Sequence, residues 1–145
     1  MPSATKSNIC FFFETSVSLR NRTKLKDEIV RIFKRHGKKL SSLNFVFCTD
    51  KRLLEINRQY LQHDYYTDII TFELNAPGQA IEGEVYISVD RVKDNARQLQ
   101  QPLYRELHRV VFHGVLHLSG FGDKTDVQEA EMRRQEDLCL KRYFK

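Results

Sequence analysis

The 145-residue chain has little cysteine. Cys10, Cys48 and Cys139 are odd in number and scattered, and no Cys-x-x-Cys occurs. That points away from a disulfide framework and from a thiolate zinc site. A reducing cytoplasm is the expected setting. Long hydrophobic runs are also missing. The apolar stretch near the N-terminus, Ile9 to Phe13, is too short for a secretory signal or a membrane span, so no membrane partner is expected. Neither an internal repeat, a low-complexity tract nor a linker interrupts the chain, which argues for one domain over residues 1–145. What is present fits a folded globular protein: 41% of residues are hydrophobic and 30% charged, a balance that disordered chains do not show. Lys and Arg outnumber Asp and Glu by 24 to 19, with a pI near 9.2. The excess tilts the partner toward an anionic polymer such as nucleic acid, though only weakly.

Taken in order, residues 1–7 are polar and expected to fray. Ile9 to Phe13 reads as a buried strand. Leu25, Ile29, Ile32 and Phe33 recur at helical spacing, with a basic end at Lys34-Arg35-His36 and a stop at Gly37. The basic cluster runs on to Lys39; it reads first as a solvated helix end and second as a phosphate contact. Leu43, Phe45 and Phe47 mark a strand. Thr49 or Asp50 caps a helix bearing Leu53, Leu54, Asn57, Tyr60 and Leu61. Thr67 to Phe72 is a β-branched strand, Asn75 to Gly83 a flexible loop, and Glu84 to Ser88 a further strand. A β-turn between the last two strands makes them antiparallel, while the other connections are long enough for helical crossovers. Ser88 or Asp90 opens a polar helix to Gln100. Leu103, Leu107, Val111, Val115 and Leu118 line a main helix over about 103–119. Asp126 and Glu129 form a capping pattern for a last helix over about 127–142. The fold class is α+β: a small mixed sheet of about four strands packed with about five helices.

The stretch that carries chemistry is His113-Gly-Val-Leu-His117-Leu-Ser-Gly120-Phe-Gly122-Asp123. Residues four apart on a helix leave the same face one turn apart. Gly120 is placed to end the helix in a left-handed conformation, and Gly122 lets Asp123 turn back toward the histidines. Two imidazoles and a carboxylate with one position open form a catalytic type of metal site at the C-terminal end of a central helix. On spacing alone this reading stands level with one in which the histidines are packed or surface residues. His108 projects about 140° from His113 and reads as structural. The residue after His113 is Gly114, not Glu, so a zincin-type protease mechanism lacks its base.

Three blocks resemble the YbeY family of metal-dependent endoribonucleases, also called rRNA maturation factors. The first is the run from His113 to Asp123, similar to H-G-x-L-H-L-x-G-[YF]-D-H. The second is Ile56-Asn57-Arg58-Gln59-Tyr60 with Asp64-Tyr65-Tyr66-Thr67-Asp68-Ile69-Ile70-Thr71-Phe72, similar to L-N-x-x-Y-R-x-x-D-x-P-T-D-V-L-S-F. The third is Gly83-Glu84-Val85-Tyr86-Ile87-Ser88, similar to G-D-I-x-I-S. The blocks follow the family order over about residues 55–123.

The resemblance implies one Zn²⁺ or another divalent transition metal per chain, held by His113, His117 and Asp123. It implies cleavage of single-stranded RNA, in 16S rRNA 3′-end processing and ribosome quality control, in contact with the small ribosomal subunit. Asp123 stands where the family has its third histidine. A carboxylate is a competent ligand whose negative charge leaves a bound water less acidic. Leu61 replaces the family's arginine, so a neighbouring base such as Arg58 holds phosphate, or activity is weaker. Tyr66 replaces the family's proline. Thr67 and Asp68 orient ligands or contact RNA, or else merely cap the strand. Tyr60 and Phe72 read as core packing ahead of base stacking. The alternative function is a non-catalytic ribosome-assembly factor with a structural metal.

Overall fold

Alternating apolar side chains build the sheet, and a helix apolar on nearly every side fills the core beside it. The computed structural model describes residues 8–145, so the segment expected to fray, residues 1–7, lies outside the described residues. The elements are β1 (Ile9–Phe13), α1 (Arg22–Arg35), β2 (Leu40–Cys48), α2 (Asp50–Leu61), β3 (Ile69–Glu73), β4 (Ile81–Ser88), α3 (Val89–Gln98), α4 (Leu103–Leu118) and α5 (Asp126–Tyr143). The strands form one mixed sheet in the order β1-β2-β4-β3. β1 pairs with β2, and β2 with β4, in parallel; β3 and β4 are antiparallel. This is the expected α+β arrangement, with helices as crossovers between the parallel pairs.

The pleat sorts the two faces of the sheet. Leu43, Phe45 and Phe47 of β2 and Val85 and Ile87 of β4 are fully buried on one face. Each such side chain is worth roughly 1.5–3 kcal/mol of burial. Against this face lies α4, whose buried set includes Leu107, Val110, Val111, Phe112, Val115, Leu116 and Leu118. It is apolar on nearly all sides because it meets the sheet on one side and α1, α3 and α5 around the rest. On the opposite face, Leu53 and Ile56 of α2 pack with Cys48 and Ile70.

Several boundaries differ from the sequence expectation. β4 starts at Ile81, not Glu84, so the loop after β3 is shorter than the glycines suggested. Its first rungs are fixed by pairing of Ile81 with Leu40 and of Gly83 with Leu43. β3 begins at Ile69, which leaves Thr67 and Asp68 ahead of the strand. The cap of α5 is Thr125, which accepts from the Gln128 backbone N–H while the Gln128 side chain accepts from the Thr125 N–H. The expected Asp126–Glu129 pattern was one residue late. Thr49 and Ser88 cap α2 and α3. Tyr60, expected in the core, is 62% exposed and meets Phe72 only edge-on, with ring centres 6.1 Å apart. Phe72 is half-buried beside the α2 cluster.

His108 is structural, as its projection from His113 implied. Its ring stacks on Tyr143 and meets Phe144 edge-on. Nδ1 donates to the Tyr104 carbonyl at 2.6 Å, and Nε2 is buried without a partner. Burial lowers its pKa despite the bond to Tyr104. The unfolded chain therefore takes up this proton more readily, and stability falls as pH drops below about 6.5 toward the folded value. His108→Phe keeps the ring and removes the proton site. Urea titrations at several pH values from 8 downward should show the variant losing less stability than wild type, by up to about 1.4 kcal/mol per pH unit.

Candidate metal centre

The last two turns of α4 carry His113 and His117. The helix then stops in a Schellman turn. Gly120 N–H donates to the His117 carbonyl and Phe121 N–H to that of Leu116, both at 3.1 Å. Gly120 takes φ 110°, a conformation that favours a residue without Cβ. The reversal returns Asp123 to the helix, with its Oδ2 3.4 Å from Nε2 of His113.

The other nitrogen of His113 is also engaged. Nδ1 donates to Oε2 of Glu136, on α5, at 2.7 Å. Glu136 Oε1 accepts from Arg109 at 3.0 Å, and the second guanidinium nitrogen of Arg109 reaches Asp137 at 2.6 Å. Burial disfavours a charged His113 ring. The bond to Glu136, with the charges of Glu136, Asp68 and Asp123, outweighs it and raises the pKa. Each nitrogen of this ring thus faces a carboxylate.

These groups border a cavity of about 640 Å³ whose wall includes Asp68, Glu106, Arg109, His113, Asp123 and Glu136. Asp68 is held ahead of β3 by its carbonyl, which accepts from Ser88 N–H at 2.9 Å, and its Oδ2 accepts from Asn95 at 3.4 Å. Burial raises the Asp68 pKa against the opposing charge of His113. Burial likewise raises that of Glu106, against the charge of Arg109.

The structure brings His113, Asp123 and Asp68 to one cavity. His117 is exposed on the next turn and does not line the cavity wall. Among the described residues, no three of His, Cys, Asp and Glu already stand as a closed ligand set. Arg58 pairs with Asp64 on the surface. Thr67 Oγ1 donates to the Ile69 carbonyl at 3.4 Å, serving the entry to β3.

Sequence reading missed Glu136, Arg109 and Glu106. A signal for Glu136 was present: Met132, Glu136, Cys139, Leu140 and Tyr143 form the buried side of α5, so a carboxylate sits within an apolar stripe.

The donor chemistry suits zinc. Ligand atoms about 2.0–2.1 Å from a tetrahedral Zn²⁺ stand roughly 3.3–3.4 Å apart, close to the 3.4 Å between His113 Nε2 and Asp123 Oδ2. A carboxylate on the far ring nitrogen is the usual support of a metal-binding histidine. Gly114, between the histidines, sets the helix on the sheet: a Cβ there would lie 3.1 Å from Val85 Cγ1 and 3.2 Å from Ile69 Cδ1.

The family model described as Endoribonuclease YbeY matches residues 12–144. The chain belongs to the YbeY family. Among its YbeY relatives, a Cytophaga hutchinsonii protein named Endoribonuclease YbeY is 44% identical over 137 residues, covering 93% of this chain and 96% of that one. A Phocaeicola vulgatus protein of the same name is 50% identical over 105 residues, covering 72% and 75%. The solution structure of TM1509 from Thermotoga maritima superposes with a TM-score of 0.65 at 26% identity, covering 94% of this chain and 89% of that one.

Arg109 is the brace of the pair between Glu136 and His113, and its side chain is largely buried. Without Arg109, Glu136 keeps its bond to His113 but loses the charged donor on its other oxygen. Arg109→Met should cost about 1.5–3 kcal/mol of stability, measured by urea unfolding at pH 7. A smaller loss should follow from Arg134→Met, whose partner Glu131 is on the surface.

Proposed function

We propose that this chain is a metal-dependent endoribonuclease acting on single-stranded RNA, with Zn²⁺ held by His113, His117 and Asp123. The observation that carries the reading is the His113 ring, clasped by Glu136 on one nitrogen and facing Asp123 across a ligand-sized gap on the other. Its setting supports it, in a chain whose relatives are named endoribonuclease. His117 joins by turning its exposed side chain toward the same face. Bound there, a divalent metal supplies Lewis-acid polarisation of a phosphoryl oxygen and makes a nucleophile available near neutral pH.

The chain's own residues have definable work. Glu136 fixes the tautomer of His113 by accepting the Nδ1–H hydrogen bond, which leaves the lone pair of Nε2 for the metal. Asp123 adds negative charge, so a bound divalent cation keeps less residual positive charge than with a third imidazole. The His36 ring packs edge-on against Phe121 at 4.9 Å, which brings the basic end of α1 beside the turn leading to Asp123. Lys34, Arg35, Lys38 and Lys39 then offer phosphate contacts close to the centre, and Arg58 adds another where Leu61 provides none. The role we assign is maturation of the small-subunit rRNA 3′ end and ribosome quality control, in the cytoplasm.

The test pairs metal analysis with cleavage. Protein purified without chelator should carry about one equivalent of Zn²⁺ or a similar metal per chain and cut a single-stranded RNA. His117→Ala should lose both. A metal content below about a tenth of an equivalent in wild type would sink the metal reading. Equal cleavage by His117→Ala would mean a contaminating nuclease. RNA binding by wild type with no cleavage would favour an assembly factor with a structural metal.

A further inference from the structure

The segment from His63 to Asp68 connects α2 to β3 and leads into the cavity, yet it exposes two aromatic rings. Tyr65 is 55% exposed and Tyr66 53%. Both rings stand within three residues of Asp68, which is part of the cavity wall.

The segment is pinned rather than loose. The Asn57 side chain, itself buried, donates to the Tyr65 carbonyl at 2.9 Å. Tyr65 stacks on His63, with ring centres 5.1 Å apart, and the Tyr65 hydroxyl lies 2.9 Å from His63 Nδ1. Tyr66 is fixed from the other side. The Arg91 guanidinium sits 5.1 Å from its ring centre, and Asp50 accepts two bonds of 3.2 Å from that guanidinium. One face of Tyr66 is thereby covered by a cation that cannot easily leave, while half the residue remains in solvent. Asp68, two residues on, is part of the cavity wall. Two residues span at most about 7 Å.

A ring backed by a fixed guanidinium, open on its other face, is a platform for a flat aromatic group. We infer that Tyr66 stacks one base of a single-stranded RNA whose phosphodiester enters the adjoining cavity; this inference rests on the nuclease reading above. Stacking is possible only for an unpaired base, so the platform selects single strands with little preference among the four bases. It also supplies at this mouth a hold on RNA that needs no phosphate contact, in a chain where Leu61 occupies a position expected to hold phosphate. Arg91, committed to Asp50, acts as a positioning residue for the ring.

The test uses the full chain and a short single-stranded RNA carrying 2-aminopurine, whose fluorescence falls on stacking. Stopped-flow mixing reads binding ahead of cleavage. Wild type and Tyr66→Phe should quench the probe alike. Tyr66→Ala should lose the quench and bind roughly 5- to 150-fold more weakly, the equivalent of about 1–3 kcal/mol for one stacked base. Its salt dependence should be unchanged, because no phosphate contact is lost. An otherwise identical strand with an abasic site at the stacked position should bind wild type and Tyr66→Ala equally. A Tyr66→Ala variant that quenches and binds like wild type overturns the inference, as does a deficit that persists on the abasic strand. In either case wild type still binds and cuts RNA, so the nuclease reading stands. Failure of wild type to bind single-stranded RNA removes both.

Discussion

Glu136 is a carboxylate set within the buried side of a helix, and the arrangement around His113 depends on how that charge is satisfied. Alone, it would be expensive to bury. Here Arg109 takes one oxygen and His113 the other. The same contacts tie α5 to α4, and they orient the one imidazole that faces the cavity. Structure and site thus share a single ionic chain, running from Asp137 through Arg109, Glu136 and His113 to Asp123.

The charge balance of the cavity favours a cation. Asp68, Glu106, Asp123, Asp126, Glu129 and Glu136 line it, against Arg109 and Arg133. An RNA phosphate would be repelled by such a wall. On the proposed reading, a divalent cation would reverse the local sign, and the chain's overall basic excess would draw a polyanion from outside. Gly114 serves the same end mechanically. It denies the chain a zincin-type base, and it lets α4 approach Val85 and Ile69 closely.

Much of this was legible in the sequence, for identifiable reasons. The helix spacing of His113 and His117 and the glycine at 120 foretold where α4 ends, because a Schellman turn has few alternatives. The apolar alternation of Leu43, Phe45 and Phe47 revealed β2, and the antiparallel β3–β4 pair followed from a short connection. Loop composition misled where pairing decides: Gly83 reads as a breaker but lies inside β4, opposite Leu43. Tyr60 read as core by spacing, but α2 turns that position to solvent. Glu136 and Arg109 escaped because their roles arise from the contact of two helices distant in sequence.

The central claim, that His113, His117 and Asp123 bind one metal, is tested most directly by X-ray absorption at the zinc edge of the loaded protein. The account predicts two imidazole nitrogens at about 2.0–2.1 Å, an oxygen shell at about 2.0–2.2 Å and no sulfur. It predicts that His117→Ala, which loses the metal, gives no such spectrum. A sulfur shell near 2.3 Å, or a wild-type spectrum with fewer than two imidazoles, would contradict it.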